Sequence, residues 1–141
     1  MNIKTVTSSA SLEDAYHIRR TVFIEEQNVS PDEELDGLDN EAIHLVGYIH
    51  EQPIAAARLR FVDEYGKLER ICVLPTFRGN AYGKKMIEAL ETVIIEQNSS
   101  HAKLNAQSHA KGFYQLLGYE QISDEFVDAG ILHVTMTKQL R

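Results

Sequence analysis

Ile71-Cys72-Val73-Leu74 reads as a buried strand that runs through Pro75 into a basic loop carrying Gly79 and Gly83, and then into a helix. A helix that begins this way leaves its first main-chain N–H groups without intrahelical partners. Those donors, with the positive end of the helix dipole, form a site for a phosphate group. Arg78, Lys84 and Lys85 add positive charge around it. The ligand implied is phosphorylated, and the rest of the chain has to supply the sheet behind the strand.

At 141 residues the chain is expected to be a single domain, residues 1–141, with a core of its own. With 43% hydrophobic and 25% charged residues it has the balance of a soluble globular protein. A net charge of −7 argues against a nucleic-acid partner and is compatible with a cationic substrate. Cys72 is the single cysteine, so no intrachain disulfide can form and the cytoplasm is the default compartment. Residues 1–5 lack a signal-peptide core, and no apolar run approaches the roughly 20 residues of a membrane span. No membrane partner is expected.

Ile3 to Thr7 alternates as a first strand. Ser8, Ser9 and Ser11 offer caps for a helix, with Ser11 and Asp14 as a weaker capping box. Leu12, Ala15, Ile18, Val22 and Phe23 give that helix its apolar stripe, with Arg19 and Arg20 on or beside the polar face. Asn28 to Asn40, together with Glu41, carries six acidic residues. It reads as a solvated loop or as a mobile flap that attracts a cation. Ala42 to Leu74 is a three-strand meander, with Ala57, Leu59 and Phe61 on one face and Arg58 and Arg60 on the other. Met86, Ile87, Leu90, Val93 and Ile94 mark the helix after the basic loop. Ala102 to Ala106 is a strand, and Ser108 opens a helix with Phe113, Leu116 and Leu117 facing inward and Gly118 as the C′ residue. Tyr119 to Ile122 is extended, Ser123 to Gly130 a loop, and Ile131 to Lys138 the last strand. The order β-α-βββ-α-β-α-β(β) predicts an α/β or α+β sandwich around a mixed sheet.

Two nucleotide-binding patterns are excluded for the basic loop. The Walker pattern needs four residues between its glycines and a hydroxyl after the lysine, whereas Gly79 is followed too soon by Gly83-Lys84-Lys85. The Rossmann glycine triplet is missing as well. Arg78-Gly79-Asn80-Ala81-Tyr82-Gly83 resembles instead the acyl-CoA loop of the GCN5-related N-acetyltransferase (GNAT) family. That loop runs Arg or Gln, two residues, Gly, any residue, then Gly or Ala. Ala81 stands at the usual glycine position; a negative φ there preserves binding, and a required positive φ weakens it. The family's second signature, an aromatic pair followed by Leu-Gly-aromatic, is similar to Phe113-Tyr114-Gln115-Leu116-Leu117-Gly118-Tyr119, about thirty residues downstream. The resemblance spans essentially the whole chain. Arg20 to Gln27, Leu104 to Gln107 and Gly130 to His133 are similar to segments of a small bacterial branch whose substrates are open.

The resemblance implies a mostly antiparallel mixed sheet flanked by helices, with a splayed acyl-CoA site between two central strands. It gives the main chain of Ile71, Cys72 and Val73 to the pantetheine arm. The Val73 N–H becomes an oxyanion donor. Arg78, Gly79, Asn80, Ala81, Tyr82, Gly83 and Lys84 cradle the pyrophosphate, and Asn105 touches the pantetheine. Tyr114 protonates the leaving thiolate, which a phenol can do for a thiol of pKa about 8.5. Read without the resemblance, Tyr114 is a half-buried aromatic, Asn105 a turn cap and Cys72 an inert small hydrophobe. Glu69 is the expected general base, sharing a face with Ile71 and Val73 if the strand is regular. A Glu69–arginine ion pair is the competing reading, and His44, His109 and His133 are further bases to consider.

The expected function is acetyl transfer from acetyl-CoA to a primary amine by direct attack, with no metal. A non-catalytic acyl-CoA-binding sensor is the alternative, and a homodimer is compatible with the resemblance.

Overall fold

The computed structural model describes residues Met1–Arg141. Its strands are β1 (Asn2–Thr5), β2 (Ile43–Ile49), β3 (Gln52–Val62), β4 (Tyr65–Val73), β5 (His101–Gln107), β6 (Glu120–Gln121), β7 (Phe126–Asp128) and β8 (Ile131–Gln139). Its α-helices are α1 (Ser9–Arg19), α2 (Pro31–Glu34), α3 (Tyr82–Glu96) and α4 (Lys111–Leu116). The eight strands form one sheet in the order β1-β2-β3-β4-β5-β8-β6, with β7 also on β8. Only β4 and β5 run parallel, because α3 carries the chain across the sheet between them. The expected element order and mixed, mostly antiparallel sheet are therefore the ones found.

Two helical layers cover opposite faces. α3 buries Met86, Ile87, Leu90 and Ile94 against Leu59, Leu68, Leu104 and Met136. Each fully buried side chain of this size contributes about 1.5–3 kcal/mol. α1 buries Ala15 and Ile18, and with Val22 just beyond it packs on Val46, Ala56 and Cys72. The alternation of β3 connects the two layers: Ala55, Ala57 and Leu59 meet the α3 side, while Ala56 meets the α1 side. No helix is long and apolar enough to cross a membrane.

Several local expectations are corrected. The cap of α1 is Ser8, whose Oγ accepts from Ser11 N at 3.2 Å while Ser11 Oγ accepts from Ser8 N at 3.2 Å. Asp14 takes no part in this box and accepts from the Tyr48 hydroxyl at 2.7 Å. After α1 the chain widens into a π-helical segment, Arg20–Glu26. Arg19, expected on or beside the polar face, is only 1% exposed. The helix after Ser108 starts as a 3₁₀ turn, Ser108–Ala110, and its inward face is formed by Tyr114 and Leu117. Leu116 points out at 89% exposure and Phe113 is also exposed. A six-residue helix has only one face to bury, and residues three apart occupy it. The expected loop Ser123 to Gly130 contains β7, which forms a hairpin with β8.

Candidate active site

β4 and β5 pair only from Gly66 to Leu68 and from Ala102 to Leu104. Beyond that β4 stays with β3 and β5 stays with β8, so the two strands part. The parting coincides with a bulge in β4. Cys72 pairs with Ala56 and Glu69 with Arg58, leaving Arg70 and Ile71 opposite Ala57 alone. Arg70 adopts φ +54° to make this possible. A bulge bends the strand that carries it, here away from β5. Leu74 N donates to Ile54 O at 2.9 Å. By strand alternation Ile71 and Val73 then turn their peptide groups toward the gap, and Cys72 turns its own toward β3.

The gap opens into a cavity of about 450 Å³. Glu69, Ile71, Asn105 and Tyr114, all singled out in the sequence, line it. Phe23 and Gln27 from the π-helical segment, Asp36 and Leu38 from the acidic segment, and Asp128 and His133 from the β7–β8 hairpin complete its walls.

Tyr114 is held by the end of its own helix. Tyr119 N donates to Tyr114 O at 3.1 Å and Gly118 N to Gln115 O at 3.1 Å, a Schellman closure that needs Gly118 at φ +98°. The ring meets Phe113 and Tyr119 edge to face, with centroids 5.1 and 6.0 Å away. Burial pushes its hydroxyl up to about 12, so it keeps its proton throughout the working range. Asn105 sits mid-strand rather than at a turn, and its Oδ1 accepts from Thr135 Oγ1 at 2.9 Å. Cys72 faces α1, and burial pushes its thiol up to about 12. It behaves as a small hydrophobe. A thiol reagent such as DTNB is expected to leave the native protein unmodified and to titrate one thiol at once in denaturant; rapid labelling of the native fold would contradict this burial.

Glu69 lies on the face opposite Ile71 and Val73, because the bulge breaks the alternation that a regular strand would keep. Ile71 and Val73 pack on the α3-side core. Glu69 instead accepts from Arg58 Nε at 3.1 Å, from Arg60 Nε at 2.7 Å and from Arg60 Nη2 at 3.1 Å. Lys67 Nζ adds a contact at 3.4 Å. Burial alone raises its pKa, but the Arg60 hydrogen bonds and the surrounding positive charge outweigh that and hold it below the ordinary glutamate range. A carboxylate stabilised this way is a weak base. The Glu69–arginine pair is thus the arrangement found.

The same network divides the acidic segment: Asp32, Glu33 and Glu41 are exposed, as a solvated loop would have them, while the inner carboxylates are paired. Glu34 is 3% exposed and pairs with Arg19 at 2.9 Å and with Arg70 at 3.0 Å. Asp36 pairs with Arg58 at 2.8 Å, and Asp39 with Arg58 at 2.9 Å and Arg19 at 2.8 Å. These inner carboxylates are already paired with arginines and are not free to attract a cation. They pin residues 34–39 to the sheet as a fixed cavity wall.

The basic loop lies beyond Val73. The first main-chain bond of α3 is Lys85 N to Ala81 O at 3.2 Å, which leaves the Tyr82, Gly83 and Lys84 N–H groups free. Asn80 Nδ2 donates to Phe77 O at 3.1 Å and steadies the turn. Arg78 donates from Nε to Val73 O at 3.0 Å and from both terminal nitrogens to Glu26 at 2.6 Å. Ala81 has φ +62°, the sign that disfavours alanine. Ala81→Gly relieves about 1–2 kcal/mol of backbone strain and loosens the unfolded chain by about 0.4–1 kcal/mol. A small rise in Tm is expected for Ala81→Gly and a clear fall for Ala81→Val; a thermal melt with the order reversed would remove the strained loop from the picture.

The acetyltransferase (GNAT) domain model matches residues 6–140. The chain belongs to the GNAT acetyltransferase family. YjcF of Bacillus subtilis, an uncharacterized N-acetyltransferase, is 47% identical over 90% of this GNAT chain and 91% of its own length. The crystal structure of Escherichia coli ElaA aligns with a TM-score of 0.85 at 26% identity, covering 98% of this chain and 99% of ElaA. An acyl-CoA N-acyltransferase from Pseudomonas aeruginosa aligns with a TM-score of 0.86 at 23% identity, again over 98% of this chain and 99% of its own, a likeness of fold.

In this GNAT protein the residues that sequence reasoning missed are mainly cations. Arg58 and Arg60 alternate along β3 opposite Glu69 and Lys67 on β4, a pairing visible once the meander register is known. Arg19 carried no such signal. Glu26, the partner of Arg78, lies 52 positions away from it in sequence. Gln107 donates to Gln27 at 2.9 Å across the cavity mouth, which neither strand nor helix periodicity announces.

Proposed function

We propose that residues 1–141 form one N-acetyltransferase domain that moves acetyl from acetyl-CoA to a primary amine by direct attack. The observation that carries this reading is the splay of β4 from β5, which turns the Ile71 and Val73 peptide groups to the gap, with Ile71 lining a cavity shared with Asn105 and Tyr114. A strand edge of this kind pairs with the pantetheine arm as an added strand would. The free N–H groups at the start of α3 and the N–H of Gly79 suit the pyrophosphate. Arg78 exchanges its exposed Glu26 partner for a phosphate oxygen, keeping its grip on Val73 O. The Val73 N–H holds the oxyanion of the tetrahedral intermediate, and Tyr114 gives its proton to the departing sulfur. Glu69 serves as the anchor of the arginine cluster that shapes the acceptor side.

The engagement of Glu69 in ion pairs favours one other reading, an acyl-CoA sensor without turnover. Release of CoA from acetyl-CoA, followed with a panel of spermidine, free lysine and lysine-containing peptides, separates the two. Steady amine-dependent release is the expected result. Tight acetyl-CoA binding with no release on any amine would favour the sensor.

A further inference from the structure

The geometry points to the imidazole of His133, on β8, as the group that takes the proton from the attacking amine. This rests on the acyl-transfer reading above and supplies the base that Glu69 does not. Of the six histidines, His44, His109 and His133 are the candidate bases named from the sequence, and the structure separates them. His44 is buried with Nε2 against the Asp39 carbonyl at 2.9 Å, away from the cavity wall. His109 is exposed with Nε2 held by Gln107 Oε1 at 2.7 Å, also outside the lining. His133 alone lines the cavity that holds Asn105 and Tyr114.

The ring of His133 is fixed by two contacts. Nδ1 lies 2.7 Å from the Ile131 carbonyl, which can only accept, so Nδ1 carries the hydrogen. In the neutral ring Nε2 is then a lone pair, and it has no protein partner. Phe126 lies nearly parallel to the ring, with centroids 6.0 Å apart and planes at 22°. The residue is 9% exposed, so the base is sheltered from bulk water. A base held in one tautomer with its lone pair unspent, on the wall of the reaction cavity, is what proton abstraction requires.

Its surroundings carry few competing charges close in sequence or register. Gln107 faces it across β5, with His109 behind that amide. The charged groups sharing the cavity are Asp128 on the hairpin, Glu33, Glu34 and Asp36 on the acidic segment, Arg60 on β3, and Lys67, Glu69 and Arg70 on β4. Asp36, Glu69 and Arg70 are spent on each other's network, and Lys67 leans on Glu69. Glu33 and Asp128 are the cavity carboxylates outside this network; both are exposed, and a carboxylate is by nature a weaker base than a histidine.

The proton accounting closes with these two side chains. Nε2 takes one proton from the ammonium, freeing the lone pair that attacks the thioester carbon. The new C–N bond gives a tetrahedral species with a positive nitrogen and a negative oxygen. The C–S bond breaks, Tyr114 protonates the thiolate, and the resulting phenolate takes the remaining extra proton from nitrogen. Amide and CoA thiol leave, and His133 returns its proton to water.

The test uses His133→Asn, whose amide nitrogen still donates to the Ile131 carbonyl while the Nε2 base is gone. With acetyl-CoA and an amine from the panel that the wild type turns over, kcat/KM near neutral pH is expected to fall by about 10²-fold or more. The rise in Tm on adding CoA should be unchanged. The wild-type pH profile should level off after a histidine ionisation, and the variant's should keep rising to the ionisation of the amine itself. Wild-type rate and profile in His133→Asn, or a comparable loss in Asp128→Asn alone, would overturn the assignment and leave the transferase reading standing. A wild type that binds acetyl-CoA and turns over no amine overturns both. Should His133→Asn fail to fold, ¹⁵N shifts of the wild-type ring decide: an unprotonated Nε2 in the neutral form is expected, and a protonated one would overturn the assignment.

Discussion

Tyr114→Phe is expected to lower kcat for acetyl transfer by on the order of 10²-fold at neutral pH, with the KM for acetyl-CoA little changed. The side chain is held by the Schellman closure at Gly118 and by its two aromatic neighbours, so phenylalanine keeps the packing and removes only the hydroxyl. The pH dependence distinguishes an acid from a mere wall residue. Burial pushes the Tyr114 hydroxyl up to about 12, so the wild type keeps its donor across the whole range. A thiolate released above its own pKa of about 8.5 needs no proton to depart. The gap between the two proteins should therefore narrow as pH rises through that region. A constant ratio at every pH, or no loss at all, would remove Tyr114 from the acid role.

Arg58→Met should be the most destabilising single change in the sheet. Arg58 is fully buried and donates to Asp36, Asp39 and Glu69 at once. Removing it leaves three carboxylates short of a partner, and breaking one side of a buried pair costs about 3–5 kcal/mol. In a domain of this size that is a fall in Tm of roughly 10 °C or more. The shorter Arg78–Glu26 pair, at 2.6 Å, is 43% and 38% exposed. Exposed pairs contribute about 0–1 kcal/mol, so burial rather than distance decides the ranking. Urea unfolding of both Arg58→Met and Glu26→Gln measures the contrast; equal losses would contradict it.

The network also sets an acid limit. Burial raises the pKa values of Asp36, Asp39 and Glu69, but hydrogen bonds and charge from Arg19, Arg58 and Arg60 lower them further than burial lifts them. Folded-state values below the unfolded ones stabilise the fold above the ordinary carboxylate range of about 4. That stability is lost as pH falls through the depressed values. Arg58→Met should begin to unfold at a higher pH than the wild type in an acid titration.

The layers of the fold were legible because they rest on periodicity. The stripe of α3 and the alternation of the meander each have a single burial solution. The end of the helix at Phe113 to Tyr119 was legible because its geometry demands a particular residue, Gly118. What sequence did not show depends on departures from periodicity. The bulge at Arg70 uses a non-glycine residue at positive φ and carries no signature, yet it turns Glu69 away from Ile71 and opens the gap. The pairing inside the acidic segment was hidden because its four cationic partners, Arg19, Arg58, Arg60 and Arg70, are scattered over α1, β3 and β4. Leu116 looked like core because helix α4 is too short to have the second buried turn that its spacing implied.

Calorimetric titration of CoA into the wild type and into Arg78→Glu tests the site most directly. The splayed strands and the loop before α3 predict saturable binding on the order of micromolar for the wild type. They predict at least about tenfold weaker binding once Arg78 repels the pyrophosphate. No binding to the wild type at millimolar CoA, or equal affinity in the two proteins, would contradict the assignment of this cavity to acyl-CoA.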